Sequence, residues 1–238
     1  MTGRAHDQSE REAGRMTRQF HDLRAERVRA NLKTVRSEIV TAASAVGRDP
    51  GEVSVLAACK YVPVEELGAL AAAGIELLGE NRAQDLQRKA QAHGELFEWD
   101  FIGALQSKHV RAIVPHVRVI HSLASDSALR ELERNLDRAR PGLRALVEVN
   151  LSGEPSKAGI APEQLGPFLA RSPVPIVGLM TMPPLADGAE ASRPWFRRLR
   201  ELAGEHGLRE LSMGTTQDFA VAVQEGATLV RIGTRLYA

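Results

Sequence analysis

Leu211-Ser212-Met213-Gly214-Thr215-Thr216 is followed by a helical stretch with Phe219 and Val223 on one face and Gly226 past its end. Then comes Leu229-Val230-Arg231-Ile232-Gly233-Thr234. A short apolar run, a turn, a helix and a second apolar run make a strand–helix–strand unit, which implies parallel pairing through a right-handed crossover. Working back along the chain, the same alternation recurs. Its apolar runs are Val53–Cys59, Ile75–Glu80, Glu98–Ala104, Val117–Leu123, Leu143–Leu151, Pro175–Met182, Glu210–Gly214 and Leu229–Thr234. Eight such units in about 190 residues predict an α/β chain folded as a single (β/α)8 TIM-type barrel, small for its kind. An open doubly wound sheet is the competing architecture.

Ahead of the first run lies an extra N-terminal helix. Val28, Leu32, Val35, Ile39, Ala43 and Val46 recur at spacings of four and three, with Arg27, Arg29, Lys33, Arg36 and Glu38 between them. Gly47 and then Pro50 stop it. Residues 1–20 are charged and nearly free of large apolar side chains, so they read as a disordered arm, with residues 21–238 as the barrel domain.

Composition narrows the function. The 238 residues carry 31 Lys+Arg against 30 Asp+Glu, a net charge of +1. That excludes an affinity built on bulk phosphate neutralisation, so no nucleic-acid partner is expected. The single cysteine, Cys59, excludes an intramolecular disulfide framework and a multi-cysteine zinc site, and no metal is expected. No apolar run approaches the roughly 20 residues that span a bilayer. The segment from Met1 to Arg15 lacks the apolar core of a secretory signal. A cytoplasmic barrel without a membrane partner is the expectation.

In this fold the chemistry gathers where strands end. The first run ends in Lys60, which shares a strand face with Ala58, Leu56 and Ser54. Pointed inward over small side chains, its amine is a candidate Schiff-base nucleophile. Taken alone, a lysine reaching out to water is the plainer reading. Cys59, on the other face, reads as a small buried hydrophobe. Asn81 closes the second run as either a ligand to a bound oxygen or the N-cap of the helix over Arg82–Ala92. The turns after the last two strands are rich in hydroxyls and glycine, which is where this fold holds a phosphate. Arg231 falls on the face of Leu229 and Gly233. An inward arginine needs a partner, and Glu148 is the carboxylate to expect. A lysine, a phosphate cup and an inward arginine suit a phosphorylated aldehyde, held by either a sugar-phosphate aldolase or a pyridoxal phosphate protein.

From Val53 to the C-terminus the chain resembles the pyridoxal phosphate homeostasis protein family, barrels related to the N-terminal domain of alanine racemase. The motifs are Leu56-Ala57-Ala58-Cys59-Lys60, Gly79-Glu80-Asn81, Phe101-Ile102-Gly103-Ala104-Leu105-Gln106-Ser107-Lys108, Val149-Asn150-Leu151 with Ser156-Lys157-Ala158-Gly159, Gly178-Leu179-Met180, Leu211-Ser212-Met213-Gly214 and Val230-Arg231-Ile232-Gly233-Thr234. The resemblance implies pyridoxal 5'-phosphate as a covalent aldimine on Lys60, with Asn81 near its phenolic oxygen. Ser212, Thr216, Gly233 and Thr234 would form the cup around the phosphate, Met213 would also bind the cofactor, and Arg231 would face the pyridine nitrogen. The chain departs from the pattern at Cys59, where Ser or Thr is usual, at Asp100, where His is usual, and at Thr215-Thr216, where Met-Ser is usual.

The resemblance further implies a cofactor-binding protein of vitamin B6 homeostasis with no established catalysis and no catalytic residue. It would act as a monomer that passes cofactor to pyridoxal phosphate-dependent apo-enzymes. Alanine racemase-like enzymes draw an acid/base tyrosine from a second domain, and here the tyrosines are Tyr61 and Tyr237. The alternative is a racemase-like enzyme or Schiff-base lyase of low activity, for which Glu148 or Glu80 would supply the carboxylate.

Overall fold

Side chains alternate across a strand, and in this molecule one face of every strand is turned to a ring of helices. The structure is a computed structural model and describes residues 19–184 and 187–238. The expected arm lies outside the described residues except for Gln19 and Phe20. The strands are β1 (Ser54–Ala58), β2 (Leu77–Glu80), β3 (Glu98–Phe101), β4 (Val119–Leu123), β5 (Arg144–Glu148), β6 (Ile176–Met180), β7 (Glu210–Thr215) and β8 (Leu229–Ile232). They pair in parallel in chain order, and β8 returns to β1 to close the barrel. The (β/α)8 expectation therefore holds, and the open sheet is excluded.

Each predicted run contains its strand. Several runs overshoot the carboxyl end, as Glu98–Ala104 does against Glu98–Phe101. The surplus residues Ile102, Gly103 and Ala104 are apolar because they line a cavity above the barrel.

Helix α1 (Ala25–Ser44) precedes the barrel. It buries Val28, Leu32, Val35, Ile39, Ala42 and Ala43. Val46, expected on that face, is exposed, because the helix has ended before the left-handed turn at Gly47 (φ 69°). One helix then follows each strand: α2 (Leu67–Ala72), α3 (Ala83–His93), α4 (Val110–Ile113), α5 (Asp126–Arg134), α6 (Leu165–Leu169), α7 (Arg193–Glu205), α8 (Phe219–Gln224) and α9 (Thr234–Tyr237). Helix α1 packs on α2, α8 and α9 and so covers the seam where the barrel closes.

The main core lies between sheet and helices, with Leu78, Trp99, Ile120, Val147, Leu179 and Val230 among its strand residues. Inside the barrel a small apolar plug of Val119, Leu146 and Met180 fills the middle. Above it the inward positions turn polar: Asp100, His121, Glu148, Ser212 and Arg231 are all buried. Two glycines are required by close approach. A Cβ on Gly178 would stand 1.8 Å from the carbonyl oxygen of Glu210, and one on Gly103 would stand 1.9 Å from that of Asn81. The first contact sets the spacing of β6 and β7, and the second joins the loops after β2 and β3.

Candidate functional site

A cavity of ≈ 520 Å³ opens at the carboxyl ends of the strands. Ala58 and Asn81 form one wall, Glu148 and Met180 another, and Thr216, Gly233 and Thr234 a third. Arg231 is also part of the lining. The parallel barrel places these residues together because every strand delivers its last inward side chain to the same end.

Arg231 is the best-held group. Its Nη1 donates to the Ser212 carbonyl at 2.7 Å and to Ser212 Oγ at 2.6 Å. Its Nη2 donates to the Thr181 carbonyl at 3.0 Å and lies 2.9 Å from Met182 Sδ. These carbonyl partners correct the expectation of a carboxylate: among the described residues Arg231 forms no ion pair, although Glu148 acts on it through space. The carbonyls of Thr181, just past β6, and of Ser212, within β7, take its hydrogens instead. Burial pulls Arg231 down to about 10, with Glu148 and Asp218 acting in the opposite direction, so it stays a cation at neutral pH. Burial also pushes the Glu148 carboxyl up, and Arg231 partly offsets that rise.

Behind Ser212 a chain of polar side chains crosses the barrel. Ser212 Oγ lies 2.9 Å from His121 Nδ1, and His121 Nε2 lies 3.0 Å from Asp100 Oδ2. Arg118 Nη2 donates to the same carboxylate oxygen at 3.1 Å. Arg118 Nε stands 3.0 Å from Oδ1 as an ion pair whose angle falls short of a hydrogen bond. Burial holds His121 below the ordinary histidine value, more strongly than Asp100 raises it. Neither His121 nor Arg118 was expected here. The available signal was alternation: His121 stands two residues beyond the inward Val119.

Lys60 lies two residues past Ala58. Its Nζ sits 4.7 Å from the centroid of the Tyr61 ring, and it is not among the residues lining the cavity. The loop that carries it is fastened from behind. Lys89 of α3 donates to the Cys59 carbonyl at 2.7 Å and to Glu80 Oε2 at 2.5 Å, all three groups being buried. Glu80 Oε1 accepts the N–H of Asn81 at 2.6 Å and of Arg82 at 3.3 Å. This corrects two expectations. Glu80 faces the helix layer and is no carboxylate for the cavity, and it satisfies the N–H groups that lead into α3. The cap position itself is Arg82. Among the described residues the Asn81 side chain has no hydrogen-bond partner, so its amide is open to the cavity. Cys59 is buried as expected, and burial pushes its thiol well up.

The last two turns meet. Gly233 N–H donates to Thr216 Oγ1 at 3.3 Å, and Thr234 begins α9 beside them. Asp218 is occupied by the Thr215 N–H at 2.7 Å and the Ser192 hydroxyl at 2.8 Å. Met213 turns its side chain into the outer core, leaving only its backbone to the turn. The hydroxyl of Ser212 is taken up by Arg231 and His121. The expected site residues are therefore brought to one end of the barrel, with Lys60 at its edge and Met213 turned away.

Among the described residues no cluster of His, Cys, Asp or Glu could hold a metal ion, and no helix is long and apolar enough to cross a membrane. No family model matches the chain. It is 38% identical over 217 residues to the pyridoxal phosphate homeostasis protein of Aquifex aeolicus, a match covering 87% of this chain and 95% of the relative. Among solved structures it superposes on PipY of Synechococcus elongatus with pyridoxal phosphate bound at a TM-score of 0.74. The identity is 30%, and the match covers 89% of this chain and 100% of PipY. Alanine racemase from Bartonella henselae, solved with covalently bound pyridoxal phosphate, matches at a TM-score of 0.67 and 12% identity. That match covers 90% of this chain and 59% of the racemase, and it shows a shared barrel.

Proposed function

The chain belongs to the pyridoxal phosphate homeostasis protein family, and from that premise we propose that it binds pyridoxal 5'-phosphate and serves intracellular vitamin B6 homeostasis. The observation that carries the reading is Arg231, a cation held by Ser212 and Thr181 against the cavity. Its guanidinium stays protonated and can only donate, so it suits an unprotonated pyridine nitrogen. The residues fit the rest of the group as well. The open Asn81 amide suits a phenolic oxygen, and the joined turns at Thr216, Gly233 and Thr234 suit a phosphate. Bound pyridoxal phosphate supplies an aldehyde that captures amines and a ring that draws electrons, and a neutral ring nitrogen weakens the second property. Holding is thereby favoured over turnover.

Lys60 is the proposed point of attachment, as an aldimine, reached by a swing from Tyr61 toward Ala58. The protein then acts in the cytoplasm as a monomer that delivers cofactor to dependent apo-enzymes, with no catalytic residue of its own. One observation favours a second reading, a racemase-like enzyme or Schiff-base lyase of low activity. Glu148 is a buried carboxylate in the cavity with its carboxyl pushed up, as a proton-transferring group would be.

The test is the absorption spectrum of purified protein with pyridoxal phosphate, then borohydride reduction and peptide mapping. An adduct on Lys60 that is lost in Lys60→Ala, with the barrel still folded, is the expected result; an adduct elsewhere moves the site. Pyridoxal should bind more weakly than its phosphate by at least about a hundredfold, since two or more bonds to charged oxygens of about 1.5–3 kcal/mol each are lost. Equal affinity removes the phosphate cup. Amino-acid turnover above the free-cofactor background would favour the second reading.

A further inference from the structure

Four polar side chains from four strands, with Arg118 from just before β4, form one continuous chain inside the barrel, and with His121 neutral its bonds can be ordered in only one way. Arg231 has donors alone, so Ser212 Oγ must accept from it and has one proton left to give. The atom that proton faces is His121 Nδ1, at 2.9 Å. Nδ1 therefore accepts, and Nε2 must carry the hydrogen of a neutral imidazole. Nε2 points at Asp100 Oδ2, 3.0 Å away, and the carboxylate can only accept. Arg118 supplies the counter-charge from the outer rim of the barrel. Each donor meets an acceptor, and in a neutral imidazole the opposite tautomer would set the Nε2 lone pair against the Asp100 carboxylate.

We propose that Asp100 and His121 are positioning residues. The carboxylate locks the imidazole in its Nε2–H form, which turns the Ser212 hydroxyl toward Nδ1 and leaves its lone pairs to hold the Arg231 guanidinium toward the cavity. The charged and titratable groups acting on His121 are Asp100 from β3, Arg118 just before β4 and Arg231 from β8. This deepens the proposed function and rests on it only where the cofactor is concerned. The ring nitrogen would be presented with an arginine of fixed orientation rather than a mobile one.

The order can be read without any ligand. ¹⁵N NMR of histidine-labelled wild-type protein should show His121 neutral and protonated at Nε2, and Arg231 should show a guanidinium whose rotation is slowed. Asp100→Asn keeps the shape, but Arg118 claims the amide oxygen and leaves the NH2 group to face Nε2. The imidazole should then shift to its Nδ1–H form. Ser212 Oγ would then accept from Nδ1–H and have to turn its own proton away from the imidazole. That disturbs its hold on Arg231, whose rotation should quicken by up to about tenfold, the loss of one buried hydrogen bond. Ser212→Ala provides the control. In that background Asp100→Asn should still invert the tautomer but leave Arg231 and the absorption band of added pyridoxal phosphate unmoved.

An Nδ1–H tautomer in the wild type overturns the proposal, and that measurement needs no variant to fold. So does an Arg231 response to Asp100→Asn that persists without the Ser212 hydroxyl. If the tautomer and the Arg231 response are as stated while no pyridoxal phosphate binds, the hydrogen-bond order stands and the functional reading falls.

Discussion

At neutral pH His121 is uncharged in the folded chain and must take up a proton as the chain unfolds in mild acid. Its folded value lies below the ordinary one because burial outweighs the help of Asp100, with Arg231 and Arg118 acting against protonation as well. The stability this contributes is complete above the unfolded value of about 6.5 and is lost as pH falls from there through the folded value. His121→Gln should therefore flatten the fall in unfolding free energy below pH 6.5 in a urea series. An unchanged slope would assign the acid sensitivity elsewhere. Glu148 has the opposite sign. Its folded value is raised, so its carboxylate costs stability above that value and nothing below the unfolded one. Glu148→Gln should unfold at higher temperature than wild type at pH 8 and at the same temperature well below pH 4.5. Two groups lining one barrel thus respond oppositely to acid.

At the level of elements, the ends of β1 and β2 are held from outside by a single residue of α3. Lys89→Met would strand the Glu80 carboxylate in the helix layer, a loss of about 3–5 kcal/mol in chemical denaturation, and adding Glu80→Leu should recover most of it. At β6, Gly178→Ala drives a methyl into the Glu210 carbonyl and should cost about 1–3 kcal/mol or more. The elements themselves were legible in the sequence. Alternation of apolar residues marks the eight strands, and the spacing from Val28 to Ala43 marks α1. Alternation also told that Arg231 faces inward, because a period of two is a local property, but it could not place Lys60, which lies past the end of β1. It could not tell that His121 meets Ser212, 91 residues away, or that Arg231 would find carbonyls before a carboxylate. Those contacts depend on barrel closure and stagger, which no window of sequence contains. Of the two readings of Asn81, the cap falls for a similar reason: Glu80, one residue earlier and facing outward, takes those N–H groups.

For the whole molecule, a ligand that binds only the closed barrel must stabilise it. Pyridoxal phosphate at a hundred times its dissociation constant should add about 2.7 kcal/mol, read as a concentration-dependent rise in melting temperature. The rise should shrink in Lys60→Ala; no rise with wild-type protein would remove the ligand. A different property follows from the way the two ends of the described chain meet. Asn31 of α1 donates to the carbonyls of Leu236 and Ala238 at 3.1 Å each, and the Phe20 ring rests 5.3 Å from that of Tyr237. The backbone is thus nearly a closed loop, and the place where it is cut is a matter of genetics rather than mechanics. A circular permutant that links Ala238 to Phe20 through a short spacer and begins at Gly142, in an exposed turn on the face away from the cavity, should fold to the same barrel.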